Sequence, residues 1–412
     1  MQAGRASRRY ELGLLALLSL ANGFVALDRL TASYLSPYLV ADLGLSNTQL
    51  GLLASSLSLA VALSAFWLGR LADITGRRKT IFVGATIAFS LCSALSGLAT
   101  GFLFLFAARF VLGLAEGPMV PISQAVMADA SDPRRRGLNM GFMQMTGAFL
   151  LGAMIGPVLV TQIADAYGWR VAFFLSGVPG LLLAAALAYY MRDTRPAMAE
   201  RAPAIRLGAA IATFWRIGNM RASLAIAALF TAWLVVQNVF LPVYLTQAKG
   251  LAPATMGWVI GMGGVAGIVS GTLLPWISDR IGRKPVCTIA CFAGALAPIA
   301  LMLLPASPVL LGLAILFGWL PLGIAPLYCA VIPSESVPPA LTTTAIGLTM
   351  GTAELFGGVV APFLAGRAAD SFGLDATLWL CVLFAVLAGF VCLGLKESAP
   401  HRLPDGAAAA LT

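Results

Sequence analysis

The chain has 412 residues, of which 59% are hydrophobic and only 10% are charged, and its mean hydropathy is +0.90. Soluble domains carry about 25% charged residues, so this composition indicates an integral membrane protein. The net charge of +9 does not indicate nucleic-acid binding, because the basic residues form no face separate from the apolar sequence. The single histidine, His401, and six cysteines without zinc-site spacing predict no metal site.

Twelve apolar segments are each long enough to cross a bilayer as a helix of about 20 residues. In chain order, the predicted spans are 12–39, 48–70, 79–99, 101–128, 137–164, 169–191, 221–246, 254–277, 286–306, 308–332, 342–366 and 376–395. The first span follows a basic segment but has no cleavage site after a short core, so we interpret it as a retained helix and not as a signal peptide. The sequence therefore predicts an all-α integral membrane protein with twelve transmembrane helices.

The longest polar interruption, residues 192–220, divides the chain into two sets of six helices. We therefore predict an N-terminal bundle at 1–191, a linker at 192–220 and a C-terminal bundle with a short tail at 221–412. Of the 26 Lys and Arg residues, 21 fall on one side of the predicted topology: in both termini, the linker and the loops after helices 2, 4 and 8. Because cytoplasmic loops attract Lys and Arg, both termini and the linker are predicted to be cytoplasmic.

The two sets of helices repeat each other in sequence. A motif in the loop after helix 2 contains Gly69, Asp73, Gly76, Arg77 and Arg78, and 206 residues later the loop after helix 8 contains Asp279, Gly282 and Arg283. A second pair, Asp165 and Asp370, recurs at nearly the same offset. A constant offset indicates duplication into two parallel six-helix halves, a transporter plan that places the substrate between the halves near the membrane midplane.

Away from the ends of the predicted spans, five charged residues lie within the apolar segments: Asp28 and Arg29 in helix 1, Arg109 and Glu116 in helix 4, and Glu354 in helix 11. Such residues are costly in a bilayer and indicate a functional site. Adjacent residues point about 100° apart on a helix, so Asp28 and Arg29 need further partners, for which Arg109 and Glu116 are the candidates. We expect these four to form a cluster without net charge. An ion pair that only locks the packing is the alternative.

The repeated loop motif resembles the signature loop of the major facilitator superfamily. The resemblance covers essentially the whole chain and implies that fold, two pseudo-symmetric six-helix halves. It also implies that Gly69, Asp73, Gly76, Arg77 and Arg78, with Asp279, Gly282 and Arg283 in the second copy, form gating loops that hold the halves together in one conformation.

Helix 1 and helix 4 carry a narrower resemblance. The Asp28-Arg29 pair, the segment from Ser46 to Gly51 and the segment from Arg109 to Pro118 are similar to the anion:cation symporter family, whose members are proton-coupled carriers of sugar acids and other organic anions. The resemblance implies that Asp28 and Glu116 exchange the coupling protons, that Arg29 binds the substrate carboxylate and that Gln144 contacts the substrate. Arg109 would be the charge partner of Glu116.

The chain departs from that family at two places. Helix 2 lacks the tyrosine that family members use against the substrate, and Glu354 replaces an amide that sugar-acid carriers often have. Three roles stay open for Glu354: a proton-coupling site, a cation-binding group or a partner for an arginine across the interface between the halves. The remaining candidate substrate ligands are Tyr34, Gln237, Asn238 and Tyr328.

The sequence therefore predicts a symporter, driven by the proton gradient without another cofactor, that takes up a small organic anion across a bacterial inner membrane as a monomer. The alternative is a proton-coupled antiporter that exports amphipathic compounds or lysolipids, similar to drug exporters or to spinster-like transporters. An enzyme is not predicted, since the spans contain no nucleophile–base pair or metal cluster. The expected partners are the anion, protons and the lipid bilayer, and nucleic acid is not among them.

Overall fold

The computed structural model describes residues 8–132, 135–192, 213–338 and 341–399. Most of the linker predicted at 192–220 lies outside the described residues, as do the N-terminal residues before 8, Arg134 and the tail from residue 400 onward.

The described residues contain twelve helices that are long and apolar enough to cross a membrane. They are α1 (Arg8–Tyr34), α2 (Asn47–Gly69), α3 (Arg78–Ser96), α4 (Phe102–Ala130), α5 (Leu138–Tyr167), α6 (Trp169–Tyr190), α7 (Gly218–Ala248), α8 (Pro253–Ile281), α9 (Arg283–Leu303), α10 (Pro308–Ser336), α11 (Thr342–Phe372) and α12 (Asp375–Leu393). The predicted number of helices is confirmed, and each predicted span overlaps its helix.

Local sequence signals start and stop these helices. Before α2, the Ser46 hydroxyl accepts a hydrogen bond from the backbone N–H of Gln49, and the Gln49 side chain accepts one from the backbone N–H of Ser46. This capping box satisfies backbone donors that the first helical turn leaves free. The helix continues to Thr75 and ends at Gly76, whose φ of 66° is a left-handed conformation that glycine adopts without strain.

The two halves repeat each other in their packing as well as in sequence. In the first half α1 packs on α5, α2 on α4 and α3 on α6; in the second half α7 packs on α11, α8 on α10 and α9 on α12. The halves meet along two further repeat-related pairs, α2 with α11 and α5 with α8. This arrangement confirms the predicted all-α fold of two pseudo-symmetric six-helix halves.

Glycines let the two halves approach closely. A Cβ atom placed on Gly51 would lie 2.2 Å from the carbonyl oxygen of Pro362, and one placed on Gly264 would lie 2.3 Å from the backbone nitrogen of Met154. No side chain fits at such distances, so the helices cross backbone to backbone, as small residues allow in membranes.

A cavity lies between the two halves and is closed at one end. Where α2 begins and α11 ends, the Asp370 carboxylate accepts hydrogen bonds of 2.9 Å from the backbone N–H groups of both Asn47 and Thr48. Toward the other end, which carries the basic loops after α2 and α8, residues 342–352 of α11 do not pack closely on α2, and Gly347 and Gly351 face open space. The cavity therefore opens toward the end with the basic loops, the end predicted to be cytoplasmic.

Candidate functional site

A cavity of about 290 Å³ lies between the two halves. Its polar wall consists of Arg29, Ser33, Ser36, Ser58, Arg109, Thr231, Asn238 and Glu354. The rest of its wall consists of alanine, leucine and valine side chains from α1, α2 and α7. The cavity therefore offers charged groups, small hydroxyls and one amide within an aliphatic surface.

Arg29 and Glu354 form an ion pair across this cavity. The Arg29 Nη2 group donates to Glu354 Oε1 and, at 3.1 Å, to the hydroxyl of Ser58 on α2. Their side chains are 35% and 26% exposed, so both reach the open cavity. Since Arg29 belongs to the first half and Glu354 to the second, the pair joins the halves. Of the three roles that stayed open for Glu354, this contact matches the partner of an arginine across the interface.

The backbone of α11 explains how Glu354 reaches Arg29. Residues Ala353–Val360 form a π-helical segment, a local widening that occurs often at functional sites. Within it, Gly357 packs against Thr231 and Ala232 of α7, while Gly358 packs against Ser58. Because two glycines leave no side chain in the way, α11 lies directly on α7 and α2 and turns the Glu354 carboxylate toward Arg29.

Asp28, the neighbour of Arg29, points away from the cavity into the first half. It is buried, and one carboxyl oxygen accepts hydrogen bonds from Ser93 of α3 and, at 3.3 Å, from Ser176 of α6. Its other carboxyl oxygen has no hydrogen-bond partner among the described residues. The side chains of Asp28 and Arg29 thus face different surroundings, the interior of the first half and the cavity, as expected for adjacent residues on a helix.

The two charged residues of α4 do not pair with each other by a hydrogen bond in the structure. Arg109 is buried, and it donates to the backbone carbonyl of Asp28 at 3.1 Å and to the hydroxyl of Ser96 at 3.0 Å. Its guanidinium carbon lies 5.0 Å from the ring centre of Phe173. Glu116 is also buried, and neither of its carboxyl oxygens has a hydrogen-bond partner among the described residues.

The expected four-member cluster is therefore divided. Arg29 is bound by Glu354 of the opposite half, and Arg109 binds Asp28 through the backbone of Asp28. Glu116 lies within electrostatic range of both arginines but bonds to neither. The reason is geometric: Arg29 faces the second half, where the sequence pattern alone does not show which residue approaches it.

The predicted substrate ligands lie in different places. Asn238 lines the cavity. Tyr34 donates to the carbonyl of Gly152, and Gln237 accepts from the indole of Trp319; both side chains are buried. Tyr328 is buried against Phe230, and the side chain of Gln144 lies outside the described residues. In this conformation Tyr34, Gln237 and Tyr328 thus pack helices together and do not line the cavity, because each faces a neighbouring helix.

The hydroxyl groups of the cavity were not among the predicted ligands. Ser33 and Ser36 follow Arg29 by four and seven residues, a spacing that places all three on one face of the helix predicted at 12–39, although in the structure Ser36 begins a separate short helix, Ser36–Leu43. That spacing was the available signal. Ser58 and Thr231 carry no comparable pattern, since serine and threonine are common in packed membrane helices.

The predicted gating loops make ion pairs within their own halves. Arg78 binds Asp129 of α4 at 2.8 Å, and Arg283 binds Glu335 of α10 at 3.0 Å and Asp279 at 2.5 Å. Asp129 and Glu335 are also 206 residues apart, so the repeat extends to the partners of the loops. The side chain of Asp73 lies outside the described residues. These ion pairs fit an open end, since none of them bridges the halves.

The second gating loop is further anchored by Glu397, which follows α12. Its carboxylate accepts hydrogen bonds from the backbone N–H groups of Arg283 and Lys284 at 2.7 and 3.2 Å. The backbone N–H groups of Ser398 and Ala399 donate to the same carboxylate. Partial burial raises the pKa of Glu397, but the backbone hydrogen bonds outweigh it and hold the pKa below its usual value. The carboxylate therefore fixes the start of α9 in its charged form.

Comparison with known proteins agrees with this architecture. Residues 18–362 match the model of the Major Facilitator Superfamily. The chain is 28% identical to a hexuronate transporter of Bacillus subtilis over 88% of this chain and 89% of that one. It is also 28% identical to a probable 4-methylmuconolactone transporter of Cupriavidus pinatubonensis (79% and 76%) and 30% identical to a probable sulfoacetate transporter of Cupriavidus necator (68% and 66%).

Solved structures show the same fold at low sequence identity. A mutant of the nucleoside transporter NupG superposes with a TM-score of 0.80 at 14% identity, over 93% of this chain and all of that one. A bacterial homologue of the lysosomal transporter Spinster, inward-facing and occupied, superposes with a TM-score of 0.79 at 18% identity, over 99% and 98%. Because the family model matches residues 18–362, the chain belongs to the major facilitator superfamily, as a multi-pass membrane transporter and not an enzyme.

Proposed function

We propose that this transporter is a proton-coupled symporter that imports a small organic anion by alternating access. The observation that carries the proposal is the position of Arg29: its guanidinium reaches a cavity that lies between the two halves. A guanidinium binds a carboxylate through two parallel hydrogen bonds, which makes arginine well suited to recognise an acid. The other arginine on the wall, Arg109, is buried and already bound to two oxygen atoms.

The cavity suits a small acid with hydroxyl groups. Its volume of about 290 Å³ lies just below the range of about 300–1,000 Å³ that ligand pockets occupy, as suits a small ligand. Ser33, Ser36 and Asn238 offer hydrogen bonds to a polar ligand. The relatives named for hexuronate and sulfoacetate support an anionic substrate.

The coupling protons are assigned to Asp28, Glu116 and Glu354. Burying an ionised carboxylate without partners is costly, and a proton removes that cost. Glu116 has no hydrogen-bond partner and Asp28 has one unpartnered oxygen among the described residues, which supports both as sites that bind protons. Arg109 would influence both through its positive charge, and no further cofactor is needed.

Alternating access requires the two halves to rock against each other. We propose that 1–191 and 221–412 are the moving bodies, that 192–220 connects them on the cytoplasmic side and that the carrier works as a monomer in a bacterial inner membrane. The asymmetry of Lys and Arg supports this orientation. In that orientation the structure is open to the cytoplasm, and Asp370 closes the outer end.

Uptake by proteoliposomes tests the proposal. Labelled D-glucuronate, L-galactonate and sulfoacetate are offered with an acidic exterior and a neutral interior. We expect accumulation of at least one acid, its loss when the proton gradient is collapsed, and its loss in Arg29→Gln. The matched control is Arg170→Gln, which alters an arginine that is bound to Asp42 outside the cavity. No accumulation of any of the acids, or unchanged uptake by Arg29→Gln, would contradict the proposal.

A second function, export of amphipathic compounds by proton antiport, is favoured by one observation. On the cavity wall, α2 contributes Leu50, Leu53, Ala54 and Leu57 and a single hydroxyl, Ser58, a surface that suits an apolar ligand. Thermal-shift measurements on the purified protein separate the two functions. Stabilisation by the acids favours symport of anions, whereas stabilisation by lysolipids or cationic dyes favours the exporter.

A further inference from the structure

Glu354 occupies the place on Arg29 that the proposed function gives to the substrate carboxylate. Its carboxylate accepts a hydrogen bond from Arg29 Nη2 inside the cavity. Because Arg109 is buried and bound elsewhere, an incoming anion has no second free guanidinium among the residues of the cavity wall. The substrate must therefore either share Arg29 with Glu354 or displace Glu354 from it.

The charges around Glu354 oppose displacement of the ionised form. Arg29 of α1 is its positive partner, the neighbouring groups Ser58 of α2 and Thr231 of α7 are uncharged, and Glu116 of α4 lies within electrostatic range. A substrate that took Arg29 would leave Glu354 as an unpaired anion, close to Glu116 and to the substrate itself. Such an arrangement is unfavourable because negative charges would then lie close together inside a cavity with an aliphatic wall, where they are screened less than in bulk water. Sharing Arg29 would place two anions side by side and is opposed for the same reason.

A proton resolves this conflict without another group. We infer, on the basis of the proposed function, that Glu354 is a built-in competitor for the substrate at Arg29 and that a proton taken up by Glu354 releases Arg29 for the anion. The proton adds to a carboxyl oxygen of Glu354, and the ion pair with Arg29 breaks. The substrate carboxylate then accepts the hydrogen bonds of the free guanidinium.

The reverse steps follow on the cytoplasmic side. When the anion leaves, Glu354 returns its proton to the cytoplasm and pairs again with Arg29, the contact that the structure contains. Each imported anion therefore brings one proton that is used at Glu354, in addition to any proton used at Asp28 or Glu116. A carrier with a neutral group at position 354 should import one proton, and one positive charge, fewer per anion.

Glu354→Gln tests this directly, because the amide has nearly the same size and never ionises. The matched control is Asp42→Asn, which makes the same change at an exposed carboxylate outside the cavity. Binding of D-glucuronate, L-galactonate and sulfoacetate is measured by titration calorimetry with the purified protein between pH 5.5 and 8.5. If binding of the anion requires uptake of one proton, the affinity falls about tenfold for each pH unit. This dependence holds at pH values at which the free protein does not already carry that proton.

We expect the wild type and Asp42→Asn to show this pH dependence, and Glu354→Gln to bind more tightly at high pH with a slope that is shallower by one proton. In proteoliposomes the ratio of protons to anions should fall by one in Glu354→Gln. If Glu354→Gln fails to fold, the proton uptake of the wild type on binding is followed with a pH indicator in weakly buffered solution, and anion binding without proton uptake would overturn the inference.

The outcomes separate this inference from the proposed function. Unchanged slope and stoichiometry in Glu354→Gln, beside normal gradient-driven uptake by the wild type, would overturn only the role of Glu354. Loss of all anion binding by Glu354→Gln would also overturn it, since the carboxylate would then be a required ligand and not a competitor. A wild type that accumulates none of the acids overturns the proposed function itself.

Discussion

Arg29 and Glu354 bond to each other across the interface between the two halves, although 325 residues separate them in the chain. The contact lies in the cavity and joins α1 of the first half to α11 of the second half, which the repeat relates to α5. An ion pair in this place neutralises the group that is best suited to bind an acid. In the structure, the arginine that is best suited to bind an acid is therefore paired with Glu354.

Arg29→Lys should weaken binding of the transported acid while leaving the protein folded. Lysine keeps the positive charge beside Glu354 but cannot donate two parallel hydrogen bonds to a carboxylate. The loss should cost about 1–3 kcal/mol of binding free energy, which lowers the affinity roughly ten- to hundredfold. The affinity is read from titrations of the purified protein. Arg170→Lys is the control, and equal affinity in both variants would show that the guanidinium of Arg29 does not hold the substrate.

Glu116→Gln should separate binding from coupling. Neither carboxyl oxygen of Glu116 has a hydrogen-bond partner among the described residues, so the amide removes no observed bond and the thermal stability should stay close to that of the wild type. Accumulation driven by the pH gradient should fall at least tenfold, whereas exchange of internal for external anion should continue. Normal accumulation by Glu116→Gln would show that this carboxyl does not carry a coupling proton.

Asp370→Asn should loosen the closed end of the cavity. The Asp370 carboxylate caps the first turn of α2 from the other half, where the positive end of the helix dipole favours a negative charge. Loss of that charge is expected to cost about 1–2 kcal/mol and to raise the outward-open population roughly tenfold. Labelling of a Ser33→Cys cavity residue by an impermeant thiol reagent, added outside intact cells, measures this population.

Asp165→Asn is the matched control for this experiment. Asp165 is related to Asp370 by the repeat but accepts its hydrogen bond of 2.6 Å from Tyr38, which belongs to the same half. Its change should leave the labelling rate of Ser33→Cys unaffected. Equal labelling in the two variants would refute a role for Asp370 in closing the outer end.

Glu397 should contribute a stability that depends on pH. Its pKa in the folded protein is depressed below the ordinary value of 4.5, so its stabilising effect is complete above that pH and is lost as the pH falls through the depressed pKa. After allowance for solvent screening, Glu397→Gln should cost about 1 kcal/mol at pH 7. The melting temperatures of the two proteins in detergent should converge as the pH falls through the depressed pKa of Glu397; a constant difference would exclude the ionised carboxylate as the cause.

The helices were predictable from the sequence because long apolar runs admit little besides membrane-spanning helices. The functional charges were also predictable, since Asp28, Arg29, Arg109 and Glu116 stand out in apolar surroundings. Their partners were not, because the bond between Arg29 and Glu354 depends on how α11 lies against the first half. The rotation of each helix about its axis was equally hidden: Gln237 and Asn238 are adjacent, yet one is buried against Trp319 and the other lines the cavity.

The most direct test of the central claim is accumulation of a labelled acid in proteoliposomes with an acidic exterior. We expect the wild type to concentrate D-glucuronate, L-galactonate or sulfoacetate inside. A protonophore should abolish the concentration difference, and Arg29→Gln should never establish it. An interior concentration that never exceeds the exterior one for any of these acids would contradict the claim, as would accumulation that persists without a proton gradient.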